Sequence, residues 1–183
     1  DSQDNCPLIS NPEQADSDQD GEGDLCDIDS QLNFTLTKTD ETCIENNNGE
    51  ISISAVAQFN YQAFVQGPNG YSQNLSFTSQ QPLRISDLES GDYLICVTSS
   101  NRPSFEQCYA TTIAQPAPLS VSSKWNAAKN SLSLTVNGSK RFILEHNSRK
   151  EEITNTNQLT LDLKKGLNIV TIKTPLDCQG VYK

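Results

Sequence analysis

Twelve residues near the N-terminus carry the clearest chemical signal in the chain: Asp16-Ser17-Asp18-Gln19-Asp20-Gly21-Glu22-Gly23-Asp24-Leu25-Cys26-Asp27. Carboxylates stand at positions 1, 3, 5, 9 and 12 of this run, glycine stands at 6, and Glu22 offers its backbone carbonyl at 7. That is the ligand order of an EF-hand loop, with aspartate in place of the closing glutamate. Alternation brings Asp16, Asp18 and Asp20 to one side of extended backbone. Gly21 permits the sharp reversal, and Asp24 and Asp27 close the shell. An all-oxygen donor set suits a hard cation, and Ca2+ is the ion expected; zinc or copper would want imidazole or thiolate. A merely solvated acidic loop gives no reason for Gly21 and Cys26 to fall in register.

Charge placement isolates the same segment. Residues 1–30 hold ten carboxylates and no Lys or Arg, while the remainder balances 13 acids with 13 bases, so the net charge of −10 belongs to one short stretch. Such a block is a disordered acidic tail or a cation site. Nothing in the sequence concentrates positive charge for phosphates, so no nucleic-acid partner is expected. The segment's apolar content is limited to Leu8, Ile9, Ala15, Leu25 and Ile28. That cannot offset an ordering cost of about 1–2 kcal/mol per residue, and without metal the segment is expected to be disordered.

Around the loop, Asp4-Asn5-Cys6-Pro7 and Asn11-Pro12-Glu13-Gln14 precede the Asp-rich run through Asp29. Together these motifs resemble a thrombospondin type 3 repeat over residues 1–29. The resemblance implies a Cys6–Cys26 disulfide wrapped over calcium, with no regular secondary structure. Closing a loop of that length would contribute about 3 kcal/mol in the chain-entropy account. Such repeats come in tandem, and Asp1 and Asp4 look like the tail of a preceding one. With Asn5 and Asp29 they make a secondary candidate cation site.

The elements that must carry this loop begin at residue 31, where short alternating runs are punctuated by Asn, Gly, Ser and Pro. Strands are expected at 32–38, 50–57, 60–66, 74–78, 82–86, 92–99 and 107–113, a spacing that reads as a sandwich. Pro116-Ala117-Pro118 forms a stiff joint. A second series follows at 119–125, 131–137, 141–146, 151–154, 158–163 and 167–173. No helical periodicity emerges. A local repeat links the halves: Asp87-Leu88-Glu89-Ser90-Gly91 and Asp162-Leu163-Lys164-Lys165-Gly166 each lead into an apolar strand. The glycine is expected at positive φ, and Tyr93 sits where Ig-like sandwiches place a tyrosine corner. The fold class expected is all-β: an irregular Ca-stabilised thrombospondin type 3 repeat (1–30) followed by two Ig-like β-sandwich domains (31–116, and a smaller one at 117–183).

Residues 43–115, through Cys43, Asn48-Gly49-Glu50-Ile51, Leu88, Gly91-Asp92-Tyr93, Cys108 and Gln115-Pro116, resemble Ig-like repeats of surface proteins from Bacteroidetes bacteria. The stretch ending Leu176-Asp177-Cys178-Gln179-Gly180-Val181-Tyr182 looks like the region that precedes a type IX secretion sorting domain. The resemblance implies export to the cell surface or medium, and it favours Cys43–Cys108 with Cys96–Cys178. Alternation offers a rival: with Tyr93, Ile95 and Val97 inward, Cys96 and Cys108 both face out and could bridge across strands, leaving Cys43–Cys178. Either solution ties residues 31–116 to 117–183.

Six Cys and no Met suit an oxidising, extracellular compartment. No signal peptide or transmembrane run is present, and the opening in mid-pattern reads as a mature or excised chain. Catalysis is not expected: His146 is the only histidine, and no nucleophile elbow, phosphate loop or His-containing metal cluster occurs. Two functions remain. The first is a calcium-stiffened spacer or adhesive stalk whose partners are neighbouring modules or cell-surface proteins. The alternative is a carbohydrate-binding accessory module of a secreted polysaccharide-degrading enzyme. For the latter, Tyr61, Tyr71, Phe105 and above all Trp125 are the aromatics that could stack on a sugar, and burial of Trp125 would remove that reading.

Overall fold

The computed structural model describes residues 3–183, and it divides into two compact units. The first comprises residues up to Glu41 together with Asn47–Ala114; the second comprises Thr42–Asn46 with Gln115–Lys183.

In the first unit the strands are β1 (Phe34–Thr39), β2 (Gly49–Ala55), β3 (Asn60–Gln66), β4 (Ser72–Thr78), β5 (Leu83–Leu88), β6 (Gly91–Ser99) and β7 (Arg102–Ile113). A three-stranded sheet in the order β1-β2-β5 and a four-stranded sheet in the order β4-β3-β6-β7 share one core. All ladders are antiparallel. Alternation does the sorting: along β3, Tyr61, Ala63 and Val65 point in while Asn60, Gln62, Phe64 and Gln66 point out. Ile51 and Ile53 of β2 and Ile95 and Val97 of β6 belong to the shared core, and burying each such side chain stabilises by about 1.5–3 kcal/mol. This arrangement of seven strands in two antiparallel sheets is the Ig-like sandwich, with its fourth strand in the four-stranded sheet.

The second unit repeats the plan. Its strands are β8 (Ser120–Asn126), β9 (Ser131–Asn137), β10 (Arg141–His146), β11 (Arg149–Thr154), β12 (Gln158–Asp162), β13 (Val170–Lys173) and β14 (Val181–Tyr182). The sheets run β12-β9-β8 and β11-β10-β13-β14, strand for strand the order of the first unit. The core is smaller, with Leu134, Val136, Phe142, Leu144, Ile153 and Ile172 buried and seven partly buried hydrophobics around them.

The two copies of Asp-Leu-x-x-Gly occupy equivalent corners, joining β5 to β6 and β12 to β13. Gly91 and Gly166 lie at φ +148° and +94°, backbone that a side chain disfavours. At the first corner the Tyr93 hydroxyl donates to the Glu89 carbonyl at 2.9 Å. Its ring packs edge-on to Tyr71 with centroids 5.8 Å apart, and burial pushes its phenol up to about 12. At the second corner the residue in register is Asn168. Its Nδ2 donates to the Lys164 carbonyl at 2.9 Å, again four residues back, and to the Gly166 carbonyl at 3.1 Å. Its Oδ1 accepts from the Lys164 N–H at 3.0 Å and from Asn147 Nδ2 at 3.0 Å.

The disulfides correct the family-favoured pairing of Cys43 with Cys108 and Cys96 with Cys178. Cys96 and Cys108 are direct partners in the β6–β7 ladder, 4.0 Å apart at Cα, and are bonded to each other; Cys43 is bonded to Cys178. The reason is the pleat: Tyr93, Ile95 and Val97 are buried, so Cys96 projects to the other face beside Cys108. Cys43 belongs to the second unit, so its bond is internal to that unit.

The corners generate a test. Tyr93→Phe, losing one hydrogen bond, is expected to destabilise the first unit by about 1 kcal/mol, and Asn168→Ala, losing several, the second by about 2 kcal/mol or more. Amide hydrogen exchange should report each loss on β6 and β13 respectively.

Candidate metal centre

Among the described residues before Phe34 there is no strand or helix. The segment is a strap shaped by turns and side-chain bonds. Asn5 is its clasp: its carbonyl accepts the Gly23 N–H at 3.0 Å, and its Nδ2 donates to the Gln14 carbonyl at 3.1 Å. Gln14 in turn accepts the Asn5 N–H at 2.8 Å and donates to the Asn11 carbonyl at 2.8 Å. Cys6 is bonded to Cys26, closing the loop. Gly23 lies where the strap crosses itself, and a Cβ there would meet Asn5 Oδ1 and Cys6 Sγ.

Within the closed loop, Asp16, Asp18 and Asp20 each bring a carboxylate oxygen to within 4.8 Å of the others. Backbone N–H groups hold them there. Asp16 accepts from Gln19 at 2.7 Å and from Gly21 at 3.0 Å, and Asp20 accepts from Glu22 at 2.8 Å. Gly21 makes the reversal at φ +99°. Like charges this close repel by about 1 kcal/mol per pair even at the dielectric of water, and by several times that nearer the protein. No Lys or Arg pairs with these three among the described residues.

The other sequence-derived ligands are placed differently. Asp24 is turned to Ser17, accepting from its N–H and its hydroxyl, both at 2.7 Å. Asp27 is 3% exposed and accepts the N–H groups of Asp29 and Ser30, both at 3.0 Å. Burial pushes the Asp27 carboxyl up, those two hydrogen bonds draw it down, and the nearby charges of Asp20 and Asp18 add to the rise. Asp24 and Asp27 share a cavity of about 50 Å3 with Ser17, Ser30 and Asn33 and with the apolar Leu32 and Val56. The Glu22 carboxylate accepts from Arg102 at 2.8 Å, so its side chain is turned to that ion pair while its carbonyl stands at loop position 7. An all-oxygen set with no competing cation at its centre fits a hard divalent ion.

The secondary set is not drawn into one group. Asp1 lies outside the described residues. Asp4 accepts from the Cys6 N–H at 3.0 Å and from Gln14 Nε2 at 3.3 Å, Asn5 is spent on the clasp, and Asp29 faces Arg102 at 3.7 Å.

Sequence reasoning missed how the strap is moored. Ile28 is fully buried in the first core, and the Leu25 carbonyl accepts the Gln58 N–H at 2.8 Å. Asn33 is a buried knot: its Oδ1 accepts the N–H groups of Val56 and Ala57, and its Nδ2 donates to the Ile28 carbonyl. Arg102, eighty residues from Glu22, adds an exposed ion pair worth up to about 1 kcal/mol. Trp125, the candidate sugar platform, is 64% exposed, whereas Tyr61 is buried and Tyr71 and Phe105 pack against the first core.

No family model matches the chain, nor does any curated protein. Among solved structures, the chain is similar to a two fibronectin type III domain segment from chicken tenascin, at 15% identity and a TM-score of 0.37, covering 81% of this chain and 97% of that one. The strand order itself defines the class: an all-β protein of two Ig-like sandwiches, the first bearing an acidic, disulfide-closed strap.

Opening the strap is expected to be measurable. Cys6→Ser with Cys26→Ser should cost about 3 kcal/mol of local stability. Amide exchange at Gly23 and Asp24 should accelerate accordingly while β2, β3 and β6 keep their protection.

Proposed function

We propose that this chain is a non-catalytic, calcium-binding structural region of a secreted surface protein, in which the ion stiffens residues 3–30 against a β-sandwich. The observation that carries the reading is the mutual approach of the Asp16, Asp18 and Asp20 carboxylates inside a disulfide-closed loop, with no Lys or Arg paired to them among the described residues. A bound Ca2+ would supply that neutralisation, with the Glu22 carbonyl as a further oxygen and with Asp24 and Asp27 joining only by turning from their present partners. Its role is mechanical: it converts mutual repulsion into cross-links between successive turns of an otherwise core-less strap. Three disulfides suit an oxidising, extracellular setting. The likeness of residues 1–29 to a thrombospondin type 3 repeat, and of the sandwiches to type IX-secreted Bacteroidetes surface proteins, agrees with that setting. The partners on this reading are adjoining modules or cell-surface proteins.

A second reading, a carbohydrate-binding accessory module, is favoured by one observation. The single Trp is on the surface of the second unit rather than in its core.

Chelation tests the first reading. Addition of EDTA should expose residues 3–24 to proteolysis while both sandwiches stay resistant, and Ca2+ should restore protection. Asp18→Asn with Asp20→Asn should lower calorimetric Ca2+ affinity by at least about tenfold, each lost carboxylate removing about a kcal/mol or more of attraction. Unchanged protease resistance after chelation would defeat the proposal.

A further inference from the structure

The two sandwiches share one strand order but carry opposite charge. The second unit holds ten Lys and Arg against six Asp and Glu, a net of +4, while the first holds three against seventeen, a net of −14. Within the second unit the recorded ion pairs sit on β10 and β11: Arg141–Glu152 at 2.7 Å, Arg149–Glu151 at 3.3 Å and Lys150–Glu145 at 3.9 Å. Lys129, Lys164 and Lys165 belong to none of the ion pairs recorded among the described residues, and they gather elsewhere.

That place is the end of the sandwich at the second corner. Trp125 and Leu132 are partners in the β8–β9 ladder, and Leu132 pairs with Leu161 of β12. Val121 and Trp125 lie on the face of β8 that carries Val136, Leu134 and Leu132 on β9, which is the core face. Beyond Leu134 that face becomes progressively exposed, with Leu132 half-buried at the core's margin and Trp125 64% exposed. In the first unit the residue at this corner, Tyr93, is a buried ring packed edge-on to Tyr71; Asn168 makes the same backbone bond with a short amide. At this end lies an open groove of about 570 Å3 lined by Trp125, Leu132 and Leu163 together with Lys164, Lys165 and Asn168. No carboxylate is among its lining residues. Lys129 stands in the turn whose Ala127 and Asn130 also border it.

We propose that this groove binds an anionic polysaccharide, with a sugar ring stacked on the Trp125 indole and carboxylate or sulfate groups met by Lys164 and Lys165. An exposed indole offers a rigid apolar platform with little entropy to lose. The two ammonium groups carry no partner to be displaced, and Asn168 and Asn130 can serve hydroxyls. The open trough admits an extended chain, which an enclosed pocket would not. The proposal rests on the carbohydrate reading and narrows it to charged glycans; it is independent of the calcium strap.

The test uses the full chain and two matched polymer pairs, hyaluronate with carboxyl-reduced hyaluronate, and dextran sulfate with dextran, with single-stranded DNA and polyglutamate alongside. The charged member of at least one pair should bind at least about tenfold more tightly than its neutral counterpart, and more weakly as salt rises. Trp125→Ala should weaken it by about thirtyfold, the effect of removing an aromatic anchor. Lys164→Gln with Lys165→Gln should bring it to the level of the neutral polymer. All three side chains are exposed, so unchanged melting of the variants serves as the folding control. Equal binding of charged and neutral polymers, lost in Trp125→Ala, would overturn the charge assignment and leave the sugar reading standing. Binding of no polysaccharide, or binding indifferent to Trp125, would overturn both. Tighter binding of the DNA than of any glycan, or of polyglutamate equally well, would also overturn the proposal.

Discussion

A segment with almost no apolar side chains cannot hold itself together, and the first thirty residues of this protein are built around that constraint. What order they have is borrowed at two points. At the far end Ile28 enters the sandwich core and Asn33 stitches backbone to backbone; at the near end a disulfide and the Asn5 clasp return the chain upon itself. Between those points lies a stretch whose internal electrostatics are unfavourable, with three carboxylates held together by backbone N–H groups. Such a segment is soft where the charges are and firm where it is moored, and a cation acting on the soft part gains leverage because the ends are already fixed.

Much of the scaffold was readable in the residues because sandwich strands advertise themselves by alternation. The bounds expected for β3, β9 and β10 coincide with the structure, since each begins and ends at a polar turn flanking inward apolar residues. β14, two residues long, has no pattern to read, and β7 starts at Arg102 rather than at 107 because its outer half pairs through an irregularity at Thr98 and Ser99. The loop's three alternating aspartates come together as the spacing implies. Asp24 and Asp27 go elsewhere because Ser17, Ser30 and Asp29 offer them donors nearer at hand. Arg102 and Asn33 were invisible in advance: a lone arginine eighty residues away and an asparagine at a turn carry no signal until the fold places them. The cysteines show a related limit. Strand alternation identified the bridge between Cys96 and Cys108 as a candidate, and only the ladder register separates it from the pairing that family likeness favours.

The two corners show how one backbone requirement can be met by different side chains with different consequences. Both need a donor reaching the carbonyl four residues back, where the chain enters a core strand from a glycine at positive φ. A tyrosine supplies that donor on a large ring, which is buried against Tyr71. An asparagine supplies it on a short amide and recruits Asn147 and the Lys164 N–H as well, so the corner is held by polar bonds rather than by a packed ring. The residue at this position differs while the strand order of the two units stays the same.

Residues 42–46 are counted with the second unit although they leave and rejoin the chain inside the first. The second sandwich is therefore discontinuous. On the ribosome it cannot be completed by its own contiguous segment: Cys43 emerges 135 residues before Cys178 and must wait that long as a free thiol. A fragment cut at the Pro116-Ala117-Pro118 joint would carry a single cysteine with no intramolecular mate, and so would be prone to couple to a second copy of itself. The proline joint looks like a boundary in the text of the sequence; covalently, the boundary lies some seventy residues earlier.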